Sequence, residues 1–212
     1  MNLLAIDCSN NNLSLALSRG QHLHTWHQTV RQGHSDHILA GIQQLLQHQQ
    51  LTLSQLDAIL YGKGPGAFTG LRIAAGIALG LATAANIPIV GVSTLDAIAR
   101  HLPQGNGLAV VDARMGEVYA VRYADGLQQG DITVGAATQL SLTGLTAVAG
   151  DCLAPFEQQG LQLIAAVPLA SDYIALYQAE PARYPAGNSA DLLYVRNKIA
   201  LTAAEQREQK RG

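Results

Sequence analysis

The chain has 212 residues, of which 48% are hydrophobic and 13% are charged, so it can bury a core over most of its length and extensive disorder is excluded. Its 13 Lys and Arg residues against 15 Asp and Glu residues give a formal net charge of −2 at pH 7. A surface of this charge lacks the basic patch that displaces counterions from nucleic acid, so we expect any contact with RNA to be shared with another chain.

The first half of the chain alternates between strand patterns and helix patterns. An apolar run at residues 3–7 and period-two alternation at 13–18 and 22–30 predict an antiparallel strand meander. A helix capped by Ser35 follows. Its apolar positions recur at helical spacing and are Ile38, Leu39, Ile42, Leu45 and Leu46. The remaining predicted elements are strands at 57–62 and 88–93, a helix at 69–85, and a helix at 94–102 that Thr94 caps.

A turn-rich segment, PQGNG at residues 103–107, marks the predicted boundary between two lobes. After it the pattern restarts, because an apolar run that contains Asp112 leads into an alternating strand, as happens around Asp7. This repeated unit predicts two related lobes, residues 1–105 and a smaller lobe of residues 106–212. The elements expected to complete the second lobe are strands near 146–151 and 161–167 and a helix near 171–179.

The segment YGKGPGAFTGLR, residues 61–72, places four glycines and a proline between a predicted strand and a predicted helix. It departs from the Walker A pattern because Lys63 precedes most of the glycines, and its glycine spacing is one residue longer than a dinucleotide fingerprint. A helix N-terminus behind glycines still exposes N–H groups that can bind an anion. The alternative, which the spacing favours, is a tight turn in which Gly64, Gly66 and Gly70 permit positive φ and close packing.

Two further patterns have both a structural and a functional interpretation. Gly76 and Gly80, four apart on the second helix, form a small face that serves either packing within the lobe or a partner interface. His34 and His37 lie three apart at a helix start, and three more histidines lie in residues 22–30. None of them has the convergent spacing of metal ligands, so surface histidines are the favoured interpretation.

Two aspartates lie at the ends of equivalent predicted strands. Asp7 and Asp112 could orient a metal–nucleotide complex between the lobes, although a strand-ending aspartate is also a common turn former. No nucleophile with a matching base stands out, since Ser9 has no partner histidine in the sequence and no feature activates Cys8.

The cysteines and the apolar runs indicate the compartment. Cys8 and Cys152 lie far apart and in no metal-ligand spacing, which predicts a reducing environment without a disulfide framework. The first ten residues lack the basic flank and long apolar region of a signal peptide. The longest uncharged apolar run, residues 73–85, is too short to span a bilayer. We therefore expect a cytoplasmic protein without membrane contact.

Six strings of the sequence together match one known family. They are LLAIDCSNNNLSLAL, the HSDHIL helix start, YGKGPGAFTGLRIAAGIALG, PIVGVSTLDAIA, VVDARMGEVYA and YVRNK. The chain resembles the TsaB family, also called YeaZ, in these strings. The resemblance covers nearly all of residues 1–120 in the expected order and returns near the C-terminus, whereas residues 125–190 carry little of it.

The resemblance implies an α/β fold of the actin/Hsp70/sugar-kinase-like (ASKHA) type, with two duplicated lobes of which the second is reduced. It implies a non-catalytic subunit that supports threonylcarbamoyl transfer to the adenosine next to the tRNA anticodon, with the catalytic subunit TsaD and the ATPase TsaE. It implies pairing through the first two helices, as a homodimer in isolation and as a heterodimer with TsaD. Contact with tRNA would come only through the complex. The chain would have no cofactor of its own, with ATP or ADP at the interface with the catalytic partner.

Two departures from the family pattern weaken the expectation of autonomous nucleotide binding. Cys8 stands where the family usually has threonine, and Ala67 stands where it has serine, so two hydroxyls that could bind phosphate are missing. The HSDH string does not supply the H-x-E-G-H-like metal signature of the catalytic sibling, so no metal site is predicted. Two rival functions stay open, an independent kinase or ATPase of the same fold and a metallopeptidase.

The candidate site residues follow from these interpretations. The glycine loop is expected to set a turn that aims the second helix towards a partner. The predicted partner-binding or loop-shaping residues are Gly64, Pro65, Gly66, Phe68, Thr69, Gly70, Arg72, Gly76, Gly80, His34, Ile38 and Ile42. The residues predicted to make a weak nucleotide contact are Asp7, Ser9, Asp112 and Arg114. No catalytic residue is predicted.

Overall fold

A computed structural model describes residues 1–29 and 34–196, with the backbone alone for residues 34–36. The strands and helices predicted for the first half of the chain are present, with bounds shifted by a few residues. They are β1 (Asn2–Asp7), β2 (Asn12–Arg19), β3 (His22–Thr29), α1 (His34–Gln49), β4 (Ala58–Gly64), α2 (Phe68–Ala85), β5 (Ile89–Ser93) and α3 (Thr94–Ala99). The predicted strand end at residue 30 lies outside the described residues.

The first sheet has β1 at its centre. Its strands lie in the order β5-β4-β1-β2-β3. β1 pairs antiparallel with β2 and parallel with β4, and β4 pairs parallel with β5. β1 is buried from Leu3 to Asp7 because both faces of the sheet are covered, which explains its continuous apolar run.

The alternating sequence of β2 predicts a strand with one solvated face, and this prediction is wrong. β2 is buried on both faces from Leu13 to Ser18. The Ser14 hydroxyl accepts a hydrogen bond from the Ala170 N–H at 2.9 Å, and the Ser18 hydroxyl accepts one from the Leu3 N–H at 3.2 Å. Serines can therefore be buried when their hydroxyls are hydrogen-bonded to backbone groups, and in the sequence they cannot be distinguished from serines on a solvated face.

Helices α1 and α2 cover one face of the first sheet. Ile38 and Ile42 of α1 belong to the core on that face, at 0% and 3% exposure. α2 contributes small residues to the same core, among them Ala74 and Ala78, which lets its backbone come close to the strands. α2 ends at Asn86, whose φ of 54° is the left-handed conformation that commonly terminates helices.

Two predicted helix caps are wrong. α1 already includes His34, so Ser35 lies within the helix and not before it. α3 is preceded by Ser93, and Thr94 is its first residue. The Thr94 hydroxyl instead donates a hydrogen bond of 2.5 Å to the Pro65 carbonyl oxygen, which joins α3 to the glycine loop.

α2 is the one helix in the described part of the chain that is long and apolar enough to cross a membrane, judged by length and composition alone. Six of its residues are buried within the protein. A helix that packs one face on a sheet passes the same test, so its hydropathy partly reflects the core.

The second half of the chain forms a second sheet that repeats the topology of the first. Its strands are β6 (Asn106–Arg114), β7 (Glu117–Ala124), β8 (Leu127–Ala136), β9 (Ala147–Gly150) and β10 (Gln162–Ala165). They lie in the order β10-β9-β6-β7-β8, with β6, β7 and β8 antiparallel and β6, β9 and β10 parallel. In the first sheet β1, β2 and β3 correspond to the antiparallel strands, and β4 and β5 correspond to the parallel ones.

After the second sheet the chain returns to the first. The helix α4 (Ala170–Ala179) packs against β1, β2 and β4, where Tyr173 and Ile174 are buried. The short strand β11 (Ala186–Gly187) then pairs with β5 at the edge of the first sheet. The sequence interpretation places the helix near 171–179 in the second lobe, and this placement is wrong. A helix pattern alone does not identify the sheet that the helix covers.

A buried polar cluster joins the two sheets beside α3. Asp96 of α3 accepts hydrogen bonds from the hydroxyls of Tyr123 on β7 at 2.7 Å and of Tyr184 at 3.1 Å. Arg183 pairs with the same carboxylate at 3.1 Å. Burial and the neighbouring carboxylate raise the pKa of both phenols, which therefore act as donors. Loss of Arg183 would leave the buried Asp96 carboxylate without an opposite charge, and the bond from Tyr123 fixes the second sheet against α3.

Candidate functional site

The glycine loop between β4 and α2 lies directly against the turn that follows β1. The Ala67 N–H donates a hydrogen bond of 2.7 Å to the Ser9 carbonyl oxygen. A Cβ at Gly66 would lie 2.7 Å from that oxygen, and a Cβ at Gly70 would overlap the Cys8 carbonyl oxygen. Glycine is therefore required at both positions because two backbone segments approach each other closely.

Of the three glycines expected to permit positive φ, only Gly64 has this conformation. Its φ is 107°, at the junction of β4 and the loop. Gly66 and Gly70 do not have positive φ, so the expectation is wrong for them and their role is close packing. The loop is thus a tight turn that packs against the turn after β1. It also forms one wall of the cleft described next.

A cleft of about 440 Å³ opens between the glycine loop and the second sheet. Four segments form most of its lining, namely the turn after β1, the loop with the start of α2, the end of β6 with its turn, and residues 193–196, and single residues of β7 and of the turn after β9 complete it. The predicted residues that it brings together are Ser9, Pro65, Gly66, Phe68, Thr69, Asp112 and Arg114. Further lining residues, which the sequence did not indicate, are Met115, Tyr119, Asp151 and Arg196.

Asp7 does not line the cleft. It is fully buried, and its Oδ2 accepts a hydrogen bond of 2.6 Å from the Tyr173 hydroxyl. Its Oδ1 accepts hydrogen bonds from the Ser9 N–H at 3.1 Å and the Ser9 hydroxyl at 3.0 Å. Burial raises the pKa of Asp7 to about 6, against the opposing effect of these hydrogen bonds. A Cβ at Gly62 would lie 2.5 Å from the Tyr173 hydroxyl oxygen, so glycine there leaves room for the pair.

Asp112 makes the same local bond as Asp7 in an open environment. Its Oδ1 accepts a hydrogen bond of 2.7 Å from the N–H of Arg114, two residues further on. Its Oδ2 pairs with the Arg114 guanidinium at 3.2 Å, and the two side chains are 37% and 65% exposed. The Asp112 N–H donates to the Asp151 carboxylate at 2.9 Å, and burial raises the pKa of Asp151. The cleft therefore presents one reachable carboxylate and one reachable guanidinium at this turn.

An aromatic group lies at the mouth of the cleft. The Arg72 guanidinium carbon is 3.9 Å from the centre of the Phe68 ring, and the Arg72 Nε donates to the Tyr194 hydroxyl at 3.3 Å. The ring centres of Phe68 and Tyr194 are 5.9 Å apart. Phe68, Tyr194 and Met115 are 40%, 51% and 68% exposed, so the mouth is an apolar patch around a cation.

The outer face of α2 carries four of the predicted partner-binding residues. Thr69, Arg72, Gly76 and Gly80 are exposed, and a Cβ at either of the last two would meet nothing within 4 Å. The two glycines therefore do not serve packing within the chain, which was the simpler interpretation of their spacing.

The predicted partner-binding residues of α1 lie elsewhere. Ile38 is fully buried in the core, so its prediction as a contact residue is wrong. Ile42 contributes only to the floor of an apolar groove of about 320 Å³, which Leu39 of α1 and Leu81 of α2 also line. Leu39, at 55% exposure, is the apolar side chain that α1 offers. The side chain of His34 lies outside the described residues.

The histidines form no candidate metal centre in the part of the chain that the structure describes, where no group of three potential ligands is placed to hold an ion. His24 and His48 instead contact each other in a tilted arrangement, with ring centres 4.6 Å apart.

Among the residues in or beside the site that the sequence did not indicate, Tyr173, Asp151 and Arg196 differ in the signal that was available for them. Tyr173 bonds to a residue 166 positions earlier, and no local pattern announces such a pairing. Asp151 directly follows β9 and Asp112 lies near the end of β6, and the repeated strand topology is the signal that could have found Asp151. Arg196 lies in the YVRNK string that carries part of the family resemblance.

The fold and the cleft define a class of protein: α/β, with two sheets of one topology and a cleft with both apolar and charged lining residues between the ends of their central strands. A family model described as "TsaD: tRNA N6-adenosine threonylcarbamoyltransferase" matches residues 27–149. The tRNA threonylcarbamoyladenosine biosynthesis protein TsaB of Escherichia coli (strain K12) is 41% identical over 127 residues, which are 58% of this chain and 55% of that protein. The protein of the same name from Haemophilus influenzae is 43% identical over 124 residues, covering 56% and 52%.

A solved structure described as YeaZ from Pseudomonas aeruginosa matches with a TM-score of 0.80 and 30% identity, over 91% of this chain and 99% of that chain. The chain belongs to the TsaB/YeaZ family, as the six strings predict. It spans about half the length of the curated TsaB relatives that it matches.

Proposed function

We propose that this protein is a subunit of the machinery that adds a threonylcarbamoyl group to the adenosine next to the anticodon of tRNA. The observation that carries this proposal is its 41% and 43% identity to two proteins named for threonylcarbamoyladenosine biosynthesis. In this proposal it acts in the cytoplasm with a TsaD-like catalytic subunit and a TsaE-like ATPase, without membrane contact. Its net charge of −2 supports contact with tRNA through the complex and not through its own surface.

Within that machinery we infer an accessory, non-catalytic role. A carboxylate that holds a metal ion or activates a nucleophile must be reachable by the ligand. Asp7 is fully buried, and both of its oxygens accept hydrogen bonds from Tyr173 and Ser9. Asp112 is reachable, but its carboxylate is already paired with Arg114. This arrangement supports the view that the two aspartates do not act together on one ligand.

The outer face of α2 is the surface that we propose for pairing, as a homodimer in isolation and as a heterodimer with the catalytic subunit. Each glycine inside a helix costs about 1 kcal/mol of stability relative to alanine. Gly76 and Gly80 make no contact within the chain that would require glycine. The close approach of a partner helix would supply such a reason. The apolar groove beside Leu39 and Leu81 extends the same surface towards α1.

The shared strand order of the two sheets supports the inference that the lobes arose by duplication, as in the ASKHA fold, with the second lobe reduced. We infer no cofactor that the chain holds alone. Contact with ATP or ADP is proposed only where the catalytic partner completes the cleft. Ser9, Asp112 and Arg114 line the cleft, and they are the residues that we propose for this contact.

Reconstitution with the catalytic subunit, the ATPase and tRNA tests the proposal. We expect the yield of modified adenosine to fall at least tenfold when this chain is omitted. Gly76→Leu and Gly80→Leu should weaken both the homodimer and the heterodimer, because a branched side chain would hold a partner helix away. Gln128→Leu, an exposed change on β8, is the control and should leave both assemblies intact. Full modification without the chain would contradict the proposal.

The two rival functions make different predictions for the purified chain. An independent kinase or ATPase would turn over ATP alone and would lose this activity in Asp7→Asn. A metallopeptidase would bind a metal ion stoichiometrically and cleave peptides. Either result would replace the accessory role.

A further inference from the structure

Residues 188–196 cross the cleft from the first sheet to the second, and we call this segment the strap. It follows β11 at the edge of the first sheet and contains no helix or strand. It ends beside the turn between β6 and β7, where Arg196 contacts Ala113 and Glu117. Its residues 193–196 form part of the cleft wall. A ligand in the cleft would therefore touch the strap on one side and the glycine loop on another.

The strap is held at the first sheet by backbone groups and packing. The Tyr61 hydroxyl accepts a hydrogen bond from the Asp191 N–H at 2.9 Å and donates one to the Asp191 carbonyl oxygen at 3.1 Å. The Leu193 N–H donates to the Lys63 carbonyl oxygen at 2.8 Å. Leu192 packs against the core of the first sheet. This end has both polar and apolar anchors.

Within residues 1–29 and 34–196, the hydrogen bonds between the strap and the second sheet come from one side chain. Arg196 donates a hydrogen bond of 3.1 Å to the Ala113 carbonyl oxygen and a second one to the Glu117 carboxylate, and the Met115 Sδ lies 3.6 Å away. All described polar contacts between the strap and the second sheet belong to Arg196. The Arg196 side chain is 19% exposed and that of Glu117 is 40% exposed, so water already reaches this ion pair.

The difference between the two ends of the strap indicates which end opens more easily. A single backbone-to-backbone hydrogen bond, from Leu193 to Lys63, holds the described strap, whereas each sheet strand has a ladder of such bonds. Segments with few backbone hydrogen bonds open locally at a lower free energy than the sheets do. We propose that the strap is a lid that opens at its second-sheet end, when Arg196 leaves Ala113 and Glu117, and that it controls access to the cleft.

The proposal has a quantitative consequence for any molecule that enters the cleft. If entry requires the open lid, the apparent affinity is lowered by the fraction of molecules in which the lid is open. Loss of the Arg196 contacts raises that fraction. Chemical access to the cleft should then increase relative to a parent that carries the same labelling site, although the change at Arg196 alters no residue of the glycine loop or of the Asp112 turn.

Arg196→Ala, measured by hydrogen exchange and thiol labelling, tests the lid. Exchange is followed by peptide for residues 188–196, for α2 and for β6. Access is followed as the rate at which a maleimide labels an Ala67→Cys reporter on the cleft wall, resolved by peptide from Cys8 and Cys152. We expect exchange in 188–196 to accelerate at least tenfold and labelling at position 67 at least threefold, with α2 and β6 unchanged. Glu117→Gln should give the same pattern at smaller size.

Arg122→Ala is the matched control. Arg122 likewise donates two hydrogen bonds to oxygen atoms, here the carbonyl oxygens of Ser141 and Thr143, but neither belongs to the strap. This variant should leave both rates at the parent values. Unchanged exchange in Arg196→Ala would show that Arg196 does not hold the lid. Faster exchange without faster labelling would show that the strap does not gate the cleft. Acceleration spread equally over 188–196, α2 and β6 would show that the strap unfolds only with the whole protein, and each of these results overturns the proposal.

Discussion

The turns after β1 and after β6 contain one motif in two environments. In both, an aspartate at the end of a central strand accepts a hydrogen bond from the N–H two residues further on. At Asp7 the remaining carboxylate oxygen meets the Tyr173 hydroxyl in a fully buried site. At Asp112 it meets Arg114 in the open cleft. The difference arises because α4 covers the first turn. One local structure thus becomes either an interior anchor or a reachable group, depending on the layer packed on it.

The largest effect is expected from placing a side chain in the buried turn after β1. A valine at Gly70 would overlap the Cys8 carbonyl oxygen next to Asp7, so Gly70→Val should lower the free energy of unfolding by about 4 kcal/mol. Gly187→Val is the control, because a Cβ there meets nothing within 4 Å. It should change stability by less than about 1 kcal/mol in urea unfolding. Equal losses of stability in the two variants would mean that the turn after β1 can accommodate a side chain at position 70.

The pH dependence of stability is the next largest effect. Asp7 has a pKa of about 6 when folded against 3.8 as the ordinary value, so the folded protein binds its proton more tightly than the unfolded chain does. The stability from this proton is complete below about pH 4 and is lost as the pH rises through 6, on the order of 3 kcal/mol in total. Above that range the Asp7 contribution is flat.

Comparison with Asp7→Asn isolates this contribution from other titrating groups. The stability of the wild-type protein relative to this variant should fall as the pH is raised from 4 to 7 in urea titrations. Asp112→Asn, the equivalent change at the open turn, should keep the wild-type slope because it retains Asp7. If the difference in stability between wild type and Asp7→Asn does not vary with pH, the pKa of Asp7 is not raised by burial and the contrast fails.

A smaller effect is expected from removing the hydroxyl that seals Asp7. Tyr173→Phe deletes a 2.6 Å hydrogen bond to a buried carboxylate, which should cost about 2 kcal/mol of stability at pH 7. Because the lost bond opposes the effect of burial, the pKa of Asp7 should also rise. Tyr119→Phe, the same change on the cleft wall, should cost less than about 0.5 kcal/mol. Chemical denaturation and carboxyl NMR titration measure the two quantities.

The smallest effect is expected at the open turn. Arg114→Ala removes an ion pair whose side chains are 37% and 65% exposed. Pairs of this kind contribute about 0 to 1 kcal/mol, so thermal unfolding should shift very little. A loss comparable to that of Tyr173→Phe would show that the turn at Asp112 is as tightly built as the one at Asp7, and the contrast would fail.

The sequence predicts a helix or strand well where the residues of that element alone determine its pattern. The buried run of β1 and the long apolar helix α2 are read from composition and period alone, since each is decided by its own residues. β2 is misread because Ser14 and Ser18 are satisfied by backbone groups that come from elsewhere. The caps at Ser35 and Thr94 are misread because hydroxyls that suit a cap also suit other positions near a helix start.

The site is only partly predictable for the same reason. The glycine loop, Asp112 and Arg114 are found because their spacing and their repetition lie in short segments. The sealing of Asp7 could not be found, because Tyr173 comes from a helix that the sequence interpretation places with the other sheet. The prediction that Ile38 of α1 contacts a partner is wrong because this residue is fully buried. A helical pattern identifies apolar residues but does not show which of them the sheet covers.

The return of α4 and β11 to the first sheet sets an order for making the protein. Two hydrogen bonds that complete the first sheet join residues 166 and 156 positions apart, from Tyr173 to Asp7 and from Ala170 to Ser14. Chains emerge from the ribosome with their N-terminus first, and contacts between distant residues form slowly. The strands of the second sheet all lie within residues 106–165, so they emerge from the ribosome before α4 and can begin to pair before it docks. Nascent β1 and β2 must meanwhile keep an uncovered face, and the half of the protein that is translated first is the half that is finished last.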